Sequence, residues 1–267
     1  MPQSEHDYKK YLSGMDIIGE IALIKIKPEF SKDKLKISNM ILSNVKHIRS
    51  IYLQKSGVTG EFRVKTLSYL SGIDDPVTIY KESGCRFLID VSKVYFSPRL
   101  SNERLRIANI VQPNEKILNM FAGVGPFSIV ISKHQPSCSI TDIEINPIAS
   151  EYALENYSLN KTPNITSICG NAHDIIKTQL SSDFSRIIMP LPEKSIEFLD
   201  DAISMIDNQG WIHLYCHLNS NNDDVLKDCN NLISKKLDSR CRINSSRIVK
   251  HIGPGWYQIV FDINIQK

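Results

Sequence analysis

The chain has 267 residues, 42% of them hydrophobic and 23% charged, with 32 Lys and Arg against 29 Asp and Glu and a net charge of +3. That length can bury a sizeable core in one large or two smaller domains, and the composition excludes a disordered, collagenous or disulfide-miniprotein chain. The charge is too small for bulk attraction to a polyanion, so any nucleic-acid site must come from local clustering of basic residues.

Residues 1–14 are polar and expected to fray. Ile17–Ile26 reads as a strand, and Lys32–Ile51, with Leu35, Met40, Ile41, Val45 and Ile48 on one face, as a helix. Between Tyr52 and Leu100, short β-like runs are broken by turn signals at residues 56–57, 71–72, 74–76 and 82–84, which suggests a small α+β unit. The character changes after Pro98. Ser101 is predicted to cap a helix running to about Val111. Strands are then predicted at Ile117–Phe121, Ser139–Ile143, Ile165–Cys169, Arg186–Met189 and Trp211–His217. Helices alternate with them at Pro126–His134, Pro147–Asn160, Glu193–Ile206 and Asp223–Lys235. Arg247–His251 and Tyr257–Ile263 flank a Gly-Pro-Gly turn as a terminal antiparallel hairpin. Such alternation implies an α/β fold with a doubly wound, mostly parallel sheet. The six cysteines stand in no C-x-x-C spacing, there is no 18-residue apolar run, and the N-terminus has no signal-peptide core. A reducing, cytoplasmic location with no membrane partner is expected.

The sharpest local motif is Asn119-Met-Phe-Ala-Gly-Val-Gly-Pro-Phe127: a strand ends, two glycines turn, and a helix begins. Such a turn brings backbone close to a ligand. Ser128 replaces the third glycine of a dinucleotide fingerprint and Pro126 removes one N–H, which disfavours a nicotinamide oxidoreductase. A nucleotide without phosphate, S-adenosylmethionine, fits better. Its ribose diol needs an acceptor carboxylate at the end of the next strand, where Glu144 and Asp142 stand, and Asn171 is placed to bond adenine.

Tyr95-Phe-Ser-Pro-Arg-Leu100, Glu103-Arg104, NMFAGVGPFSI at 119–129, EINP at 144–147, LNK at 159–161 and MPLP at 189–192 resemble the archaeal and eukaryotic tRNA (guanine-37-N1)-methyltransferases. The resemblance implies a small α+β RNA-facing domain, residues 1–97, and a class I methyltransferase domain, residues 98–267, using S-adenosylmethionine. Glu103 would be the general base for guanine N1. Arg63 would meet the target base and stabilise charge developing on its O6. Tyr95, Arg104, Phe121, Gly123, Gly125, Glu144, Ile145, Asn171, Ala172 and Pro190 would form the cofactor site. Arg63, Arg99, Pro190, Leu191 and Pro192 would face the anticodon stem-loop of tRNA. Apart from the resemblance, Glu103 reads as a first-turn carboxylate favoured by the helix dipole, Arg63 as a surface arginine and Tyr95 as a core aromatic.

Three positions depart from that pattern. Asn119 and Asn171 stand where Asp is common, and Pro190 replaces the Asn of an Asn-Leu-Pro loop whose side chain meets the base. A Pro-Leu-Pro loop resembles an archaeal wyosine-pathway subgroup that methylates C7 of 4-demethylwyosine, with or without N1 of guanosine. The resemblance begins near residue 15, short of an extra N-terminal domain that reaches the tRNA elbow in many members, so reduced reliance on the whole tRNA is expected.

Other clusters carry less. His213-Leu-Tyr-Cys216-His217 alternates across a strand and cannot wrap one ion, so no metal is expected. Arg242 and Arg247, with Arg240, Lys250 and His251, form a basic stretch that is either a solvated edge or a phosphate rail. The sequence therefore favours a monomeric tRNA methyltransferase acting at position 37. A catalytically degenerate methyltransferase fold that only binds tRNA is the alternative.

Overall fold

A computed structural model of the chain describes residues 7–266. The first six residues of the stretch expected to fray lie outside them. Asp7–Tyr11 is a 3₁₀ turn rather than frayed chain, and strand β1 (Leu12–Ile18) follows directly. The single strand expected over 17–26 is the end of a hairpin: β1 turns at Gly19 and returns as β2 (Ile21–Ile26). Gly19 has φ +56°, and a Cβ there would lie 2.6 Å from the Ile79 carbonyl oxygen. Only glycine allows both the turn and that close approach.

The next helix, α1 (Lys34–Asn44), is shorter than its apolar periodicity suggests. Val45–Arg49 leaves the helix so that β3 (Ser50–Thr59) can pair in parallel with β2, burying Ile51 completely. Strand β4 (Val64–Gly72) completes a sheet ordered β1-β2-β3-β4. The turn expected at residues 56–57 lies inside β3, and the chain reverses at Gly60–Arg63 instead. Ile24, Ile37 and Ile41 fill the space between this sheet and α1.

Strands β5 (Val77–Glu82) and β6 (Cys85–Asp90) form a separate hairpin. Its turn residues Ser83 and Gly84 both have positive φ, as a tight two-residue hairpin turn requires. The free edge of β6 is covered by helix α4 (Pro147–Asn160). Asn156 accepts from Leu88 N–H (2.7 Å) and donates to its carbonyl (3.1 Å). Asn160 does the same for Arg86 (2.9 and 2.6 Å). Two side-chain amides thus stand in for the neighbouring strand.

The main sheet has seven strands. Helix α2 (Ser101–Ile110) leads into β7 (Lys116–Asn119), α3 (Pro126–His134), β8 (Ser139–Glu144), α4, β9 (Ile165–Cys169), α5 (Ala172–Gln179), β10 (Phe184–Met189) and α6 (Leu199–Met205). Strand β11 (Ile206–Asn219), α7 (Val225–Ser234), β12 (Cys241–Gly253) and β13 (Trp256–Gln266) follow. The order is β12-β13-β11-β10-β7-β8-β9, with β11, β10, β7, β8 and β9 parallel and the terminal hairpin at one edge, where β13 runs antiparallel to β11 and β12 antiparallel to β13. Because β8 lies to one side of β7 and β10 to the other, the chain switches direction at the β7–β10 pair, where such sheets open a crevice.

Three local expectations are corrected. Leu100, not Ser101, precedes α2, because a 3₁₀ turn over Pro98–Leu100 already starts the coil. Residues 193–206 form a 3₁₀ turn and then α6, whose first turn carries Asp200 and Asp201. Helix α5 was not expected: it is eight residues long, with no repeating apolar face beyond Ile175 and Ile176, and it starts because Asn171 accepts from His173 N–H (2.9 Å). No helix among the described residues is long and apolar enough to cross a membrane.

Candidate active site

A cavity of about 450 Å³ opens at the switch point. The loops after β7, β8, β9 and β10 form its floor, and the Gly60–Arg63 turn and Tyr95–Ser97 form its roof. At one end the glycine turn leaves backbone bare. Gly123 (φ +58°) meets nothing nearer its missing Cβ than 3.8 Å, and its N–H donates to Glu144 Oε2 at 2.6 Å. The other Glu144 oxygen accepts from Asn146 N–H at 2.8 Å. Burial raises the Glu144 pKa, while these backbone donors act against that rise. Asn146 also caps α4 through Ile148 N–H, with Pro147 at the first helical position, so the EINP motif fixes the carboxylate and starts the helix together.

Phe121, Ile145, Asn171 and Ala172 line this end, and the Phe121 and Phe198 rings meet edge-on at 5.1 Å. Gly125 (φ +79°) does not line the cavity. A Cβ there would come within 2.5 Å of the Tyr157 ring, so this glycine lets α3 pack against α4.

Asp142, the other carboxylate expected near a ribose diol, does not reach the cavity. It is fully buried below the turn and accepts from the Ser128 and Tyr157 hydroxyls, both at 2.5 Å. Burial pushes its pKa up to about 7. Asn119 joins the same network, donating to Ser128 Oγ at 3.0 Å. Ser128 therefore stands in place of a third glycine as the hub of a brace, and the Asn119 departure lies beneath the cavity floor.

The other end is lined by Arg63, Tyr95, Pro190, Leu191 and Glu193. The Arg63 guanidinium lies 4.1 Å over the Tyr95 ring and donates to Glu193 Oε1 at 2.7 Å. Arg63 Nε is buried with no hydrogen-bond partner. Pro192 is buried behind the loop, where its carbonyl accepts from His217 N–H at 2.9 Å. Arg104 lines the wall, but its guanidinium is held by the Glu82 carboxylate (2.6 Å at Nη2) and the Ser97 carbonyl (3.2 Å). It shapes the cavity and ties β5 to α2.

Glu103 lies on α2 outside the cavity lining. Its Oε2 accepts from Tyr215 (3.0 Å), Arg247 (2.8 Å) and Arg106 (3.4 Å), while among the described residues none bonds Oε1. Burial raises its pKa against the pull of Arg106 and Tyr215. Arg247 is therefore engaged with Glu103 rather than free along a rail. Arg99 is exposed and pairs with Asp16 (2.7 Å). Arg242 is not brought to the site: it registers with Asn264 and hence Trp211, at the far end of the parallel strands, about 25 Å along β12 from the cavity end. Lys250, which registers with Gln258 and His217, occupies the cavity end instead. His213 is fully buried, bonding Asp262 (2.6 Å) and Arg186 (2.7 Å).

The sheet order, the glycine turn between β7 and α3, and the carboxylate ending β8 define a class I methyltransferase. The family follows from comparison with known proteins. The TRM5/TYW2 methyltransferase domain matches residues 78–244, and the TYW2 N-terminal domain residues 3–75. Trm5b of Pyrococcus abyssi, a tRNA (guanine(37)-N(1))-methyltransferase, is 35% identical over 255 residues, covering 95% of this chain and 75% of the relative. Taw21 of Saccharolobus solfataricus, a tRNA 4-demethylwyosine(37)-methyltransferase, is 34% identical over 254 residues, covering 93% and 92%. Among solved structures, aTrm5 in complex with tRNALeu has a TM-score of 0.84 at 34% identity, covering 97% of this chain and 74% of that one. Methanocaldococcus jannaschii Trm5 in complex with adenosine has a TM-score of 0.82 at 30% identity, covering 100% and 81%. The chain belongs to the TRM5/TYW2 methyltransferase family.

Proposed function

We propose that this chain methylates the purine at position 37 of tRNA, at N1 of guanosine, C7 of 4-demethylwyosine or both, using S-adenosylmethionine. The observation that carries this reading is the continuity of the cavity. One space runs from the bare Gly123 backbone and Glu144 to Arg63, Tyr95 and Pro190. Its relatives act at position 37, and one neighbour binds adenosine and another tRNA.

The residues fit the cofactor. Glu144 holds two backbone donors and retains lone pairs for a ribose diol. Asn171 uses Oδ1 to cap α5, leaving its amide N–H groups to donate to adenine. Phe121 and Ile145 supply apolar walls. When bound, the cofactor supplies an electrophilic methyl group on a cationic sulfur. The protein's share is positioning and proton removal. Arg63 donates to guanine O6, where negative charge gathers as N1 gives up its proton. Glu103 takes that proton on Oε1, while Tyr215, Arg106 and Arg247 hold Oε2. Movement of the base or of α2 must bring the two together, since Glu103 stands behind the lining.

The residue 1–97 unit then works in two parts. The four-stranded sheet delivers Gly60–Arg63 to the cavity, and the β5–β6 hairpin braces α4 and α2. One chain encloses the whole site, so a monomer without metal suffices, and a cytoplasmic setting suits a tRNA substrate. Glu103→Ala tests the reading: methyl transfer should fall by about 10²–10⁴-fold with S-adenosylmethionine affinity unchanged by calorimetry. Unaltered turnover would remove Glu103 from the role.

A further inference from the structure

Glu193 is a cavity carboxylate to which neither motif nor mechanism gives a role. It follows the Pro190-Leu191-Pro192 loop and faces the base end of the cavity opposite Arg63, 2.7 Å away. His217 Nδ1 lies 3.6 Å from the same oxygen, and Lys250 also feels its charge. The carboxylate therefore sits among cationic and polar side chains contributed by the β3–β4 turn, β11 and β12.

The Watson–Crick edge of guanine presents one acceptor, O6, and two donor groups, N1–H and the 2-amino group. Arg63 can only donate, and Pro190 has neither side-chain donor nor acceptor. Of the groups at this end, a carboxylate is the acceptor that an amino group needs. Arg63 Nε, buried and unpartnered, supplies a donor beyond the one already paired with Glu193. We propose that Glu193 is a specificity-determining residue that accepts a hydrogen bond from the 2-amino group of the target guanine, in place of the side chain lost at Pro190. The Arg63–Glu193 pair thus holds a matched donor and acceptor before the base arrives, and the base opens that pair as it enters. This inference rests on the reading of the cavity as a position-37 guanine site.

The test compares tRNA-Phe transcripts carrying guanosine or inosine at position 37, since inosine keeps O6 and N1–H but lacks the amino group. Wild-type protein should prefer guanosine in kcat/KM by roughly tenfold, the scale of one good base-edge contact. Glu193→Ala should bring the ratio close to one by weakening turnover of guanosine more than inosine, and Glu193→Gln should fall between. The wild-type ratio needs no variant. A wild-type ratio near one, or an unchanged ratio in Glu193→Ala, overturns the role of Glu193 while leaving the methyltransferase reading intact. Methylation of the tricyclic base alone also overturns it. Transfer to neither purine overturns the functional reading and this inference with it.

Discussion

At Glu103, burial and charge pull in opposite directions. Loss of water raises the carboxyl pKa, and Arg106 and the Tyr215 hydroxyl pull it back. The net shift is upward. In its proposed role as general base Glu103 works only when ionised, so methyl transfer should rise with pH through this pKa, and the acidic limb of the pH–rate profile should lie above the ordinary glutamate value of 4.5. Arg247 adds a third donor at 2.8 Å. Arg247→Ala should therefore move the limb further up, as read from kcat/KM between pH 4 and 8, on the order of half a pH unit for a half-exposed partner. A limb that stays in place would show that Arg247 does not act on the base. These partners stand 112 and 144 residues away from Glu103 for Tyr215 and Arg247, which is why sequence alone leaves the residue as an ordinary first-turn carboxylate. Glu193 is harder still to see, since a glutamate after a proline loop has the look of any solvated side chain until the fold sets it against Arg63.

Among the elements, those with their own start and stop signals were legible. Pro126–His134, Pro147–Asn160 and Ile165–Cys169 match their expected bounds, because Gly125, Asn146 and Lys161 mark the ends of the two helices. Where tertiary pairing sets an element's ends or register, the sequence showed that a strand was present but not where it stops or which way it faces. The apolar run from Ile17 hides a hairpin turn at Gly19, and β11 is 14 residues long because β13 pairs along it. Register also decides the basic strand: a run of arginines and lysine cannot say which end meets the cavity, and β12 brings Lys250 there, not Arg242. The LNK motif has a structural meaning that its residue types do not announce, since Asn160 pairs with the backbone of β6. Asn156→Ala would leave the Leu88 N–H and carbonyl without partners, at a cost of about 1–3 kcal/mol. Urea unfolding should show a lower midpoint at unchanged slope, and a midpoint equal to that of the wild type would show that the hairpin does not depend on this contact.

For the whole molecule, a net charge of +3 is enough because the polar groups that matter are concentrated where two units meet. Arg63 and Lys65 come from the small sheet, Arg99 from the linker, and Lys250 from the terminal hairpin. The acids among them hold three of those cations in place in the free protein: Glu193 pairs with Arg63, and Asp16 with Lys65 and Arg99. In the proposed reading the doubly wound sheet supplies the cofactor end and the small sheet supplies Arg63 to the base end, so the cavity draws on both units. The most direct test is mass spectrometry of the nucleosides of tRNA-Phe after incubation with isotope-labelled S-adenosylmethionine, offering guanosine and 4-demethylwyosine at position 37 in parallel. The label should appear in the position-37 purine of at least one substrate and nowhere else. Label at another position, or none in either tRNA, would contradict the account.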